Sequence, residues 1–207
     1  MDERPDLVDL TLASASPRRR ELLERLGLRL RVAPADVDET PRDGEPAAEY
    51  VRRMALDKLA TARSAAGPDE SAVLAADTIV VLQGAILGKP RDEDDARAML
   101  RRLAGHRHEV MTAYRIGFGA REVERTVTTT VAFRLIDPPE LEAYIGSREW
   151  SGKAGAYAVQ GVAAVFVTEL RGSLTNVVGL PLAEVLADLR ALGAVPAYPP
   201  ARFPTLA

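Results

Sequence analysis

The sequence predicts an α/β fold: a mixed, twisted sheet with flanking helices, arranged as two lobes around a central cleft. Three observations lead there. Short apolar runs of strand length alternate along the chain with stretches of helical period. Two strand candidates, residues 110–116 and 123–135, are long, and the second is rich in Thr and Val. Joined by a turn at 117–120, they pair antiparallel and make the sheet mixed. The chain has 207 residues, 47% apolar and 28% charged, enough to bury one large core or two smaller ones. Residues 1–195 are expected to form one domain of two lobes, and 196–207, with Pro196, Pro199, Pro200 and Pro204, a proline-rich tail.

Taken in order, residues 7–13 read as a first strand, with Val8, Leu10 and Leu12 alternating. A helix follows: Ser16 fits its N-cap, Pro17 its first position, and Leu22, Leu23 and Leu26 its apolar stripe, with Gly27 ending it. Residues 28–33 read as a second strand and 34–46 as a loop carrying Asp36, Asp38 and Glu39. Residues 47–66 have helical spacing, with Lys58 beside the stripe where an ordinary solvated lysine is expected, and 67–70 close that helix. Residues 73–76 read as a short buried strand interrupted by Asp77 and resumed at 79–82. A turn at Gln83-Gly84-Ala85 then returns Ile86-Leu87 antiparallel. Residues 92–103 read as a helix that opens with acids, and Asp137-Pro138-Pro139 starts a short one reaching about Ile145. Glycines at 146, 152, 155 and 161 mark a lid or ligand-approaching loop. Residues 162–168 are expected as a strand, 172–176 as a turn, and 177–192 as mainly a helix with Pro181 near its start.

Composition excludes several functions. The net charge of −3 and the aromatic content of 5% argue against a dedicated nucleic-acid or anionic-membrane surface. There are no cysteines, hence no disulfide, thiolate nucleophile or thiolate metal site. The two histidines, His106 and His108, alternate at a strand start and make a poor zinc site by themselves. No apolar run is long enough to span a membrane, and the first six residues lack signal-peptide character, so a cytoplasmic protein is expected.

Two stretches carry chemistry. The first is strand, small polar loop, then helix N-terminus at Ser14–Ser16, where free N–H groups and the helix dipole favour an anion. Arg18, Arg19 and Arg20 sit in that first turn against the dipole, an inconsistency that a bound phosphate repairs. The glycines and Lys of a Walker loop are missing. The second is Asp77, a carboxylate set between apolar segments that needs a cation or donors to stay ionised. The hairpin is expected to bring Lys89 back towards it. That arrangement suits a metal–phosphate site, and equally a structural ion pair.

Together these residues resemble the Maf family of nucleoside triphosphate pyrophosphatases. The matching stretches are Leu12 to Arg19 (LASASPRR), Asp38-Glu39-Thr40, Ala76-Asp77-Thr78 and Gly88-Lys89-Pro90-Arg91. Further on come Gly152 to Tyr157 (GKAGAY) with Gln160-Gly161, and Asn176 to Leu182 (NVVGLPL), so the resemblance spans about residues 8–190. It implies a Maf/ITPase-like fold with the site in the cleft, and hydrolysis of a nucleoside triphosphate between its α and β phosphates, aided by Mg2+ or Mn2+. By the same resemblance Asp77 is the proton acceptor, and Arg18, Thr78 and Gln160 set base preference. Ser14, Arg19, Lys58 and Lys89 lie at the phosphates, with Glu39 and Asp77 at the metal. By the same resemblance, Lys153 to Tyr157 with Gln160-Gly161 looks like the subgroup acting on dTTP and UTP rather than 7-methyl-GTP; an amide at 160 both donates to and accepts from a uracil or thymine edge, which gives that difference its physical sense. Leu174 departs from the family's usual aromatic after Gly-Ser. A free Asp titrates near 3.9 and is a weak base at neutral pH, so Asp77 is expected to orient a metal-activated water or relay its proton. The alternatives are a 7-methyl-GTP or broad-specificity pyrophosphatase and, in another class, a non-catalytic nucleic-acid-binding or cell-division regulator. A homodimer is compatible with all three.

Overall fold

The computed structural model describes residues 9–66 and 72–195. Leu7, Val8, the helix closure at 67–70 and the tail 196–207 lie outside the described residues. Seven strands form one mixed sheet. Its parallel part is β2 (Arg29–Val32), β1 (Asp9–Leu12) and the first residues of β3 (Ala72–Leu82). The rest is antiparallel: β3 to β5 (Arg107–Phe118), β5 to β6 (Arg121–Phe133), and β6 to β7 (Val167–Arg171).

β3 organises the molecule. One edge pairs with β5 along Val73–Val81. The other edge is shared: β1 takes Ala72–Leu74, and β4 (Ala85–Leu87) takes Val80–Leu82. Between those partners, residues 75–79 have an open edge, and this gap in the sheet is where the cleft lies. The hairpin between β3 and β4 turns through Gln83 (φ 51) and Gly84 (φ 82), both left-handed as a two-residue turn of this kind requires. Asp77 does not interrupt β3, contrary to the sequence reading; the strand runs through it, because β5 supplies a full ladder on the other edge.

Strand alternation sorts the core into layers. Odd-numbered residues of β3 (Val73, Ala75, Ile79, Val81) pack on α2 (Ala47–Ala66) through Val51, Met54, Leu59 and Ala62. Even-numbered residues face the other way, into two clusters. Leu74 and Ala76 join α1 (Pro17–Glu24) and α6 (Leu182–Ala191). Val80 and Leu82 join α3 (Glu93–Leu103), α4 (Pro138–Gly146) and the aromatic residues Trp150, Tyr157 and Phe166. Thr78 and Thr112, directly opposite each other in register, mark the seam between those two clusters. α6 is fixed to the sheet by Asp188, which is buried and accepts from Tyr114 Oη at 2.6 Å and from Arg125 Nε and Nη2 at 2.6 and 2.8 Å.

Helix starts follow their sequence signals. Ser16 caps α1, Asp92 caps α3, and Asp137 with Glu140 forms a capping box on α4. Two further expectations fail. Residues 162–166 form a 3-10 helix instead of a strand, and β7 begins only at Val167. The reason is Glu149, whose carboxylate accepts from the backbone N–H of Val162 (2.8 Å) and Ala163 (3.2 Å) and so caps a helical turn. Val162 and Val165, which mimic a strand in sequence, are more than half exposed. The helix expected over 177–192 is two helices, α5 (Leu174–Val178) and α6, split by Gly179 at φ 129 and by Pro181. No helix among the described residues is long and apolar enough to cross a membrane.

Candidate active site

All nine sequence-predicted side chains line one cleft of about 400 Å3. Ser14 comes from the β1–α1 connection, Arg18 and Arg19 from the first turn of α1, Glu39 from the long loop, and Lys58 from α2. Asp77 and Thr78 come from the open edge of β3, Lys89 from beyond β4, and Gln160 from the glycine-rich loop. That loop is seated at Gly155: its N–H donates to Gly88 O at 3.0 Å, and a Cβ at this left-handed residue would lie 2.9 Å from the Val80 side chain. Lys89 and the loop bearing Gln160 are thereby joined.

Adjacent residues of β3 point to opposite faces, so the cleft has two chemically different walls. On the α2 side Asp77 meets Lys58, not Lys89. Lys58 Nζ lies 2.6 Å from Asp77 Oδ1 and 2.7 Å from Glu39 Oε1. Lys58 is only 7% exposed, so it is no solvated helix lysine; the carboxylates facing it make its burial affordable. Lys89 reaches only Glu39 Oε2, at 3.4 Å, and stays largely exposed. Burial works to raise the Glu39 carboxyl, but hydrogen bonding and charge from Lys58 and then Lys89 outweigh it and hold it below the ordinary glutamate value. α2 also holds the Glu39 loop in place. Tyr50 Oη donates to Glu39 O at 2.9 Å, and Arg53 grips Glu45 with Nε and Nη2 at 2.6 and 2.7 Å. Burial, then the nearby Asp77 and Glu39 charges, push the Tyr50 phenol up to about 12.

On the other wall Arg19 is buried. Its Nε donates to Gly179 O (2.8 Å), Nη1 to Ser14 Oγ (3.0 Å) and Nη2 to Thr78 Oγ1 (2.9 Å), leaving two of a guanidinium's five N–H groups for a ligand. Burial lowers its pKa, and the Asp77 charge acts in the opposite sense. Ser14 Oγ also accepts from Ser16 N at 3.2 Å, so its own hydroxyl hydrogen remains to donate. Thr78 Oγ1 lies 2.9 Å from Thr112 Oγ1 and 3.2 Å from Gly179 O. With Arg19 donating to it, the Thr78 hydroxyl is engaged on three sides within the protein. Behind this pair, Asn176 Nδ2 donates to Val110 O and Thr129 Oγ1, both at 3.0 Å.

The three arginines at the start of α1 separate by role. Arg19 enters the buried network, Arg18 is half-buried at the cleft, and Arg20 pairs in solvent with Glu24 at 2.7 Å. Gln160 is exposed and makes no side-chain hydrogen bond among the described residues. Thr112, Asn176 and the Gly179 carbonyl were not singled out from sequence. Thr112 looks like ordinary strand propensity, and only the stretch Asn176 to Pro181 hinted at the other two. His106 and His108 do not converge: His106 is exposed, while buried His108 Nε2 lies 2.9 Å from Tyr157 Oη.

Glu39 Oε1 and Asp77 Oδ1 converge on a single cationic point, now filled by Lys58. Two carboxylate oxygens fit a hard divalent ion that keeps water and phosphate oxygens as its remaining ligands. No group of three or more His, Asp or Glu side chains able to hold a metal occurs among the described residues, so these two carboxylates cannot form a self-sufficient protein cage.

A dTTP/UTP pyrophosphatase of Anaeromyxobacter dehalogenans strain 2CP-1 is 54% identical over 188 residues, covering 89% of this chain and 94% of its own. One from Methylococcus capsulatus is 50% identical over 184 residues, covering 89% and 91%. A HAM1 protein structure from Coxiella burnetii aligns over 88% of this chain and 100% of its own with a TM-score of 0.45 at 14% identity, too low to carry an argument. A family model described as Maf-like protein matches residues 9–192, and the chain belongs to that family.

Proposed function

We propose that this protein hydrolyses dTTP and UTP to the nucleoside monophosphate and pyrophosphate. The observation that supports this most is the pairing of two cleft walls across one strand. A buried, fixed guanidinium stands on one side and a carboxylate–ammonium cluster on the other, around a cavity large enough for a nucleotide. Relatives about 50% identical, named for dTTP and UTP, support the same substrates.

Stabilising the triphosphate charge dominates such a reaction. The Ser14 hydroxyl, the two remaining Arg19 N–H groups and the start of α1 bind phosphate oxygens. Lys89, exposed and loosely paired, turns to the leaving pyrophosphate. Asp77 Oδ1 is held by Lys58, while Oδ2 accepts no hydrogen bond from the described residues. Oδ2 orients the attacking water and takes its proton as oxygen bonds to the α phosphorus. The bond from that phosphorus to the α–β bridging oxygen breaks, and pyrophosphate departs. A divalent ion such as Mg2+ or Mn2+, held by Glu39, Asp77 and the phosphates, would neutralise phosphate charge and acidify water. Gln160, free of protein partners, reads the base edge. Arg18 borders the same cleft, while Thr78 acts on selectivity through Arg19, to which its hydroxyl is already bonded.

The test is pyrophosphate release from dTTP, UTP, CTP, GTP and 7-methyl-GTP, wild type beside Asp77→Ala. Release from dTTP and UTP is expected, falling at least about 1,000-fold in the variant, as loss of a proton-transfer group commonly does. Turnover of 7-methyl-GTP alone overturns the role given to Gln160. No turnover of any nucleotide overturns the enzyme.

A further inference from the structure

The proposed reaction needs two carboxylates available to a divalent ion, yet in the nucleotide-free protein they already share a cation. Lys58 Nζ bonds both, at 2.7 Å to Glu39 and 2.6 Å to Asp77. The contacts are not incidental. Lys58 is almost fully buried, carried on a twenty-residue helix packed along β3, and the Asp77 side chain is 13% exposed. Glu39 is brought to it by a loop that Tyr50 and Arg53 of the same helix hold down. Two like charges this close need a positive partner, and an unpaired one here would be costly.

We propose that Lys58 is the resident cation of the Glu39–Asp77 pair, so that a divalent ion enters this pair with the nucleotide rather than ahead of it. The inference rests on the pyrophosphatase reading for its nucleotide, but not for its central claim about Lys58. Glu39, Asp77, Lys58 and Lys89 together carry no net charge. A divalent ion arriving alone must displace a buried ammonium that has no other acceptor among the described residues, or add two positive charges to a neutral cluster. A triphosphate changes both conditions. It brings the negative charge that balances the metal, and it offers oxygens to which Lys58 can turn. Lys58 thereby keeps the site paired when empty and makes metal binding conditional on substrate.

The experiment measures binding of Mn2+ alone to the full chain, by the loss of its free-ion electron paramagnetic resonance signal. Lys58→Met leaves the carboxylate pair without its cation and is expected to bind Mn2+ at least tenfold more tightly than wild type. Lys58→Arg keeps the charge and should stay within about threefold of wild type. Adding Glu39→Gln to Lys58→Met should abolish the gain. A gain of less than tenfold in Lys58→Met, or an equal gain in Lys58→Arg, overturns the proposal. Lys58→Met loses a buried partner, so melting is followed in parallel: Mn2+ should restore its melting temperature while barely moving that of wild type. If the variant does not fold, wild type alone decides. A non-hydrolysable α,β-methylene analogue of dTTP should tighten Mn2+ binding at least tenfold, and unchanged binding overturns the proposal. Wild type that binds no analogue and releases no pyrophosphate refutes the pyrophosphatase reading instead, and the folded Lys58 variants still judge the role of Lys58.

Discussion

The two walls that meet at β3 are built on opposite principles. On the α2 side a few charges share partners: Lys58 with two carboxylates, and Glu39 with two lysines. Charge pairing is weakly directional, so these partners can be exchanged when a phosphate enters. On the Thr78 side every bond is directional, and Arg19, Ser14, Thr78 and Gly179 each have a defined donor or acceptor. The first wall can rearrange and the second cannot. A site that must hold a substrate in register while charge moves needs both, and one strand provides them because neighbouring residues face opposite ways. Substitutions on the fixed wall should therefore cost stability, and those on the exchangeable wall should cost turnover.

Arg19→Ala is the strongest challenge to that division. It leaves the Gly179 carbonyl short of a strong donor, removes a partner from Ser14 and Thr78, and opens a void at the start of α1. The expected destabilisation is roughly 3–4 kcal/mol, the scale for breaking a buried charged network. Chemical denaturation checks it, and a loss under about 1 kcal/mol would remove the distinction between the walls.

The fixed wall should also respond to acid. His108 lies on the same face of β5 as Thr112, against Phe133 and Tyr157. Burial lowers its pKa from 6.5 to about 4, with the His106 backbone acting weakly in the other direction. Above pH 6.5 neither the folded nor the unfolded chain protonates this ring, and its contribution is complete. Between pH 6.5 and 4 the unfolded chain takes up a proton that the folded chain refuses, so stability falls as pH falls. Below about pH 4 both states are protonated and the slope ends. The window is worth about 3 kcal/mol at 1.36 kcal/mol per pKa unit. Glu39, its pKa lowered, loses stabilisation only as pH drops below the ordinary glutamate range, under most of this window. His108→Asn should flatten the limb between pH 6.5 and 4; an unchanged slope would place the titration elsewhere.

Much of this was legible in the sequence, for local reasons. The α1 cap, the bounds of α2, the β3–β4 turn and the start of α4 at Asp137 each depend on residues within a few positions of one another. The nine residues that the resemblance singles out line one cleft. What could not be read was set by partners far along the chain. Lys58 looks solvated until Asp77, nineteen residues on, is folded against it. Residues 162–166 look like a strand until Glu149 caps them. The other partners of the Thr78 hydroxyl, Thr112 and Gly179, are supplied by β5 and the α5–α6 break.

Thr78 sharpens the comparison because its role is to hold Arg19. Thr78→Val keeps the shape and removes the hydroxyl, leaving Arg19 Nη2 without its acceptor and Thr112 Oγ1 with only its 3.4 Å bond to Asn176 O. A cost of about 1–2 kcal/mol is expected, with a lower kcat and a smaller preference for dTTP over CTP. Thr78→Ser restores the oxygen and should recover most of both. If Thr78→Val keeps full selectivity, the base is read without the Arg19 wall.

The smallest effect on folding, and the clearest contrast, belongs to Lys89. Its side chain is 62% exposed and its one pairing is the 3.4 Å contact with Glu39, which keeps Lys58 when Lys89 is gone. Exposed pairs of this kind contribute under about 1 kcal/mol, so Lys89→Met should melt within a degree or two of wild type. In the proposed reaction its charge is needed most as pyrophosphate forms. Loss of a point charge that strengthens in the transition state lowers kcat and kcat/KM together, whereas loss of simple substrate attraction raises KM alone. The exchangeable wall requires the first pattern, about tenfold or more in kcat, and weakening with added salt as screening takes over the lysine's role. A variant that raises KM and spares kcat would make Lys89 part of the fixed substrate cradle, and would move the boundary between the two walls to Lys58.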